Sequence, residues 1–152
     1  MGKYITSDSY STRFICYPYA EQNGKKETAF FGYGQRKGYE ILDEINLEKT
    51  SLETAEEAIS KLNAIEFKGG KMPVIIGNGI GALIFHEACG HGLEATNIAS
   101  NRSIFCNEIG KNIASQKVTL IDDGTIENSW GGFLVDDEGN LPQKNILIEN
   151  GI

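Results

Sequence analysis

Histidine is scarce in this chain: its 152 residues include two, His86 and His91. Any chemistry that needs an imidazole must use one of these. Cysteine is also sparse, and Cys16, Cys89 and Cys106 are odd in number and irregularly spaced, which argues against a disulfide framework. Basic residues are in deficit. Fourteen Lys and Arg against 21 Asp and Glu leave a net charge of −7, and no basic run exceeds two adjacent residues. A phosphate backbone has little to bind, so no direct contact with nucleic acid is expected. Long apolar runs are missing too. A membrane span needs roughly 18 apolar residues, and the longest candidate, residues 72–89, is broken by Pro73, Asn78, His86, Glu87 and three glycines. The first residues, MGKYITSDSY, lack the apolar core of a signal peptide. A cytoplasmic location with no membrane partner is expected.

The remaining composition is that of an ordinary folded protein, 40% hydrophobic and 23% charged. Residues 12–19 read as a strand, Asn23-Gly24 as a hairpin turn with both φ values positive, and residues 27–34 as the returning strand. Thr50 with Glu53 fits a capping box, followed by an apolar stripe of Leu52, Ala55, Ile59 and Leu62. Glu57 and Lys61 can pair across one turn of that helix. Residues 72–77 read as a short buried strand, and residues 78–95 as a buried helix. The stretches KVTLIDDGT, GGFLVDDEGN and KNILIENGI read as three further strands with their turns. The expected fold class is α+β: an antiparallel or mixed sheet, one amphipathic helix and a buried helix near residue 86. The closing ENGI reads as the first arm of a hairpin, so the chain is expected to be a fragment of a longer protein.

The chemistry concentrates in FHEACGHGLE, residues 85–94. Zinc takes neutral imidazole nitrogens, and a catalytic site uses three protein ligands plus water. A glutamate beside such a site can take a proton from that water. His86, Glu87 and His91 are the right residue types, but the histidines are one position too far apart for a regular helix. At about 100° per residue, a five-residue step separates two side chains by about 140°. A π-bulge absorbs one extra residue, and Gly90 and Gly92, on either side of His91, are expected to remove the steric cost of unusual backbone geometry there. Spacing alone leaves open whether the histidines bind metal or are held structurally.

HEACGHGLEA resembles the His-Glu-x-x-x-His motif of the TldD/PmbA family, also called modulators of DNA gyrase. The resemblance extends across MPVIIGNGIGALIFHEACGHGLEAT, the later strands from VTLIDDGT to ENGI, and NGKKETAFFGYGQRKGYE before them. It implies a zinc metallopeptidase that hydrolyses unstructured peptides, including modified leader peptides in some bacteria. The motif-bearing subunit would act with a related PmbA/TldE-like subunit that lacks the motif, as a heterodimer. The resemblance makes His86 and His91 metal ligands and Glu87 the catalytic general base. The family's third zinc ligand is a cysteine far downstream; neither Cys89 nor Cys106 matches it. Family members are much longer, so residues 1–152 are expected to be one central segment, lacking an N-terminal domain and the C-terminal third. Alone, this segment is expected to be inactive, poor in zinc and prone to self-association through uncovered apolar surface.

Other residues carry weaker signals. Glu94 could orient a histidine, or simply be a helix-end glutamate. Asp122, Asp123, Asp136, Asp137 and Glu138 suggest a cation cluster, but each group follows a strand and precedes a glycine, which favours turn chemistry. Trp130 and Phe133 read as core. A cysteine hydrolase using Cys89 with His91 is disfavoured, because side chains two positions apart on a helix diverge by about 200°. The remaining alternative is a non-catalytic interaction module with structural histidines.

Overall fold

The computed structural model describes residues 4–152, and its contacts divide the chain into two compact units. Unit one holds the residues up to Lys68 together with Asp123–Gln143. Unit two holds Gly69–Asp122 and Lys144–Ile152. The α+β class is as expected, with small two-stranded sheets beside short helices.

Unit one is built on a hairpin of β1 (Thr12–Cys16), β2 (Tyr19–Gln22), β3 (Lys25–Thr28) and β4 (Phe31–Gln35). Its turn is Asn23-Gly24, with φ of 53° and 81°. The strand expected over residues 12–19 is interrupted at Pro18, which has no N–H to give to a ladder. The register nevertheless continues: Cys16 lies opposite Phe31 and Tyr19 opposite Thr28, both antiparallel. Ala29 N–H donates to the Pro18 carbonyl at 3.3 Å, bridging the break. Gly34 leaves a bare patch on β4 for Trp130; a Cβ there would lie 2.6 Å from Trp130 Cε3. The Arg13 guanidinium sits 5.6 Å from the same ring.

Helix α1 (Leu47–Leu62) packs on β2 and β3. It begins before the expected capping box. Asn46 is the cap, its side-chain oxygen accepting the Lys49 N–H at 2.9 Å. Thr50 therefore lies inside the helix, and its carbonyl accepts the Thr54 hydroxyl at 2.6 Å. The packed face also differs from the expected stripe. Thr54 and Ala58 are buried, whereas Leu52 and Ile59 are mostly exposed. The small Thr54 and Ala58 let the helix come close to the hairpin, while Ala55, Ile59 and Leu62 line an open groove beside β2. Glu57 and Lys61 do pair, at 2.6 Å. Lys25 of β3 donates to the carbonyls of Leu62 and Lys61 at 2.7 and 3.2 Å. A cation thus meets the free carbonyls at the negative end of the helix.

A 3₁₀ turn, Tyr39–Glu44, is tied back to β4. The Glu44 carboxylate accepts from Lys37 Nζ at 2.6 Å and from Tyr33 Oη at 2.7 Å. These hydrogen bonds, that of Lys37 first, hold the Glu44 carboxyl below the ordinary glutamate range. Asp136 closes a loop rather than a cation site: it accepts the Glu138 and Asn140 N–H groups at 2.9 and 2.7 Å. The strand expected over residues 131–140 is not formed; no ladder partner stands beside it among the described residues. Trp130 and Phe133 are each about half exposed, so the expected core positions are corrected to surface.

β5 (Leu120–Asp123), in unit two up to Asp122, pairs with β6 (Lys144–Ile148). Beyond β6, Asn150 and Gly151 have φ of 50° and 87°, and Glu149 and Ile152 exchange both backbone hydrogen bonds. Any side chain at Gly151 would collide with the Ala114 carbonyl, 2.5 Å from its Cβ position. Residues 72–77, expected as a buried strand, form no strand, and Ile75 is 99% exposed. The helix around residue 86, also expected to be buried, has no buried residue. Ile80, Leu83, Ile84 and Phe85 are each at least half exposed, because no described layer lies over them.

Two outcomes are expected for unit one. Asn46→Ala should lower stability by about 1 kcal/mol, read by denaturant unfolding, through loss of the cap on α1. The Glu44 pKa is lower folded than unfolded, so its contribution is complete above the ordinary glutamate pKa and lost as pH falls through the depressed value. An NMR titration should show the Tyr33 and Lys37 signals moving with Glu44 in that acid window. Movement at neutral pH, or none, would contradict the assignment.

Candidate metal centre

The motif helix is assembled from short pieces. A 3₁₀ turn, Gly79–Ala82, leads into α2 (Leu83–Phe85), a π turn over His86–Gly90, and α3 (His91–Leu93). The His91 N–H donates to the His86 carbonyl, five residues back. That bond makes five residues about one turn, which places the two histidines on one face. The extra residue is absorbed where the sequence requires it.

The glycines act differently from expectation. Gly90 has φ −54° and ψ −56°, ordinary helical values that any residue adopts. What matters is the missing side chain. A Cβ on Gly90 would stand 3.3 Å from His86 Nδ1, and one on Gly92 would stand 2.8 Å from the Phe105 ring. Gly90 makes room for the imidazole, and Gly92 for a neighbouring ring.

His86 Nε2 and His91 Nε2 are 3.1 Å apart. Two nitrogens bound at about 2.0–2.1 Å to one tetrahedral zinc stand about 3.3 Å apart. The donor pair therefore fits a shared ion with almost no movement. Glu87 Oε2 lies 3.7 Å from His91 Nε2. Among the described residues, His86, Glu87 and His91 are the only group of three potential ligands that close, all within 4.8 Å of one another. The aspartate-rich turns and the half-buried, free Cys89 and Cys106 form no second group of this kind.

Glu94 lies beside the centre. Its Oε1 is 2.6 Å from His91 Nδ1, and this hydrogen bond, chiefly, raises the His91 pKa above the ordinary value. The same bond strengthens the ring as an electron donor. Asn97 had no signal assigned to it, although His-x-x-Glu-x-x-Asn recurs at helical three-residue steps. Its side-chain amide donates to the His91 carbonyl at 2.8 Å and to Glu94 Oε2 at 3.3 Å. An open groove of about 830 Å³ runs along the motif, lined by Phe85, His86, Cys89, Leu93 and Glu94 and by Val118 and Leu120.

Comparison with known proteins gives this arrangement its class. The sequence profile of the PmbA/TldA metallopeptidase C-terminal domain matches residues 69–152, beginning where unit two begins. The chain belongs to the PmbA/TldD family of metallopeptidases. A metalloprotease TldD homolog of Buchnera aphidicola is 40% identical over 99% of this chain and 33% of its own length. The TldD homolog of Haemophilus influenzae is 39% identical over 87% of this chain and 28% of its own length. A modulator of DNA gyrase from Thermotoga maritima shares the fold at a TM-score of 0.75 and 22% identity, covering 92% of this chain and 31% of its own. TldE from Thermococcus kodakarensis does so at 0.66 and 23%, covering 93% and 31%. The chain thus spans about a third of the length of the relatives it matches.

The close approach of Gly90 to His86 has a direct consequence. Gly90→Ala should keep or raise helix stability, since alanine is the better helix former by about 1 kcal/mol. Yet it should weaken metal binding by displacing His86. Calorimetric titration with a divalent metal, beside thermal unfolding, separates the two effects; unchanged affinity would sink this account of Gly90.

Proposed function

We propose that this chain is the part of a zinc metallopeptidase that supplies two metal ligands, His86 and His91, and the general base, Glu87. The observation that carries the reading is the approach of the two Nε2 atoms to 3.1 Å across a π turn, with the Glu87 carboxylate beside them. When bound, zinc supplies Lewis acidity toward water and the peptide carbonyl. His86 and His91 present neutral nitrogens on one face and hold its position. Glu87 takes a proton from the attacking water and passes it to the leaving amine, so the amine departs uncharged. The third ligand belongs outside residues 1–152, as the family resemblance implies, and the isolated segment is then metal-poor and inactive.

The substrate class is unstructured peptide, and the partner is a related TldE-like subunit without the motif. Both are what the family resemblance implies for the whole protein. This segment occupies the central part of the whole protein, whose relatives are about three times its length. A cytoplasmic location is part of this proposal on the sequence reading alone. Among the described residues no helix is long and apolar enough to cross a membrane. The net charge of −7 speaks against direct nucleic-acid binding.

One observation favours a second reading, a non-catalytic interaction module with structural histidines. The apolar stretch from Val74 to Phe85 is largely exposed, as an association surface would be. The same surface favours self-association of the isolated segment.

Zinc content and peptidase activity of the whole protein discriminate between the two. Wild type should hold zinc and cleave unstructured peptides. Glu87→Ala should retain zinc and lose activity; His91→Ala should lose both. A wild type free of zinc and without activity would leave the interaction module standing; a Glu87→Ala protein of full activity would remove Glu87 as the general base.

A further inference from the structure

We infer that Glu94, held by Asn97, is the positioning residue that sets the tautomer and ring orientation of His91; the inference rests on His91 being a metal ligand. A neutral imidazole carries one proton, on either Nδ1 or Nε2. Only the form with the proton on Nδ1 leaves Nε2 free to bind a metal. His91 Nδ1 is 2.6 Å from Glu94 Oε1, and an ionised carboxylate can only accept, so Nδ1 must donate. The proton is thereby kept on the side of the ring away from His86, and the Nε2 lone pair faces the 3.1 Å gap between the histidines.

The backbone is arranged to make this bond. Glu94 ends α3 with φ −57° and ψ 133°, and the chain restarts as α4 (Ala95–Ala99), whose Asn97 and Ile98 N–H groups donate to the Glu94 carbonyl at 3.0 and 3.1 Å. The break lets the Glu94 side chain turn back along α3 instead of continuing outward. Asn97, three positions into the new helix, then secures both ends. Its amide donates to Glu94 Oε2 at 3.3 Å and to the His91 carbonyl at 2.8 Å. Carboxylate, ring and backbone close into one loop of contacts, and the ring cannot rotate without breaking it. Removing such a support from a metal-bound histidine typically costs about 10–100-fold in metal affinity.

The test uses the whole protein and three variants, Glu94→Ala, Glu94→Gln and Asn97→Ala, with thermal unfolding as a check on folding. Zinc affinity is measured by competition with a chromophoric chelator. The His91 tautomer is read from ¹⁵N shifts in the metal-free protein. Glu94→Ala should weaken zinc by about 10–100-fold and give a mixture of tautomers. Glu94→Gln keeps an acceptor of the same reach and should recover part of the affinity. Asn97→Ala should fall between that and wild type. If wild type and Glu94→Ala bind zinc equally, the positioning role is wrong and the metal assignment survives. If wild type takes no zinc, the metal assignment fails, and the tautomer alone decides. Retention on Nδ1 in wild type and loss in Glu94→Ala supports the clamp; identical tautomers in both proteins remove it.

Discussion

His91 stands five positions after His86, and the chemistry of this chain depends on how the backbone absorbs the fifth step. In a regular α-helix the two rings would point about 140° apart. The π turn brings their Nε2 atoms to 3.1 Å at the cost of one irregular hydrogen bond, from His91 back to His86. Glu87 follows His86 directly and stays within reach, while Glu94 falls on the His91 side one turn later. Restoring a regular helix would separate the donor groups without changing a single side chain.

The fold around that turn is uneven in its packing. Unit one has a closed contact between α1 and the hairpin, sealed by Ala58 and Thr54 and capped at both ends, by Asn46 and by Lys25. In unit two, the helix that carries the motif shows large apolar side chains to solvent. An exposed run of this kind is characteristic of a surface that meets another one. Such a surface agrees with a chain that spans about a third of its relatives' length. The approach of His86, Glu87 and His91, by contrast, needs no cover. Its geometry is local, made by one helix and the break that follows it.

Much of this was legible in advance. His86, Glu87 and His91 stood out because they are rare residue types concentrated in six positions, and their odd spacing pointed to a π turn. Asn23-Gly24 announced its turn, and Glu57–Lys61 its ion pair, because each depends on neighbours in sequence. Gly90 was noticed for the wrong reason. Its backbone is ordinary, and its function is to leave space, which only the position of the His86 ring could reveal. Asn97 passed unnoticed since an asparagine in a polar stretch has many equivalent readings until its partners are known.

What the sequence determined by itself was therefore local: turn residues with positive φ, a π turn forced by spacing, and the grouping of two histidines and a glutamate. These follow from covalent geometry and side-chain chemistry within a few residues. Tertiary structure decided the rest. It chose Thr54 and Ala58 over Leu52 and Ile59 as the packed face of α1. It left residues 72–77 and 131–140 without ladders and the motif helix uncovered. A strand exists only if another lies beside it, and an apolar face is buried only if something is placed against it. Neither condition is written in the segment that must satisfy it.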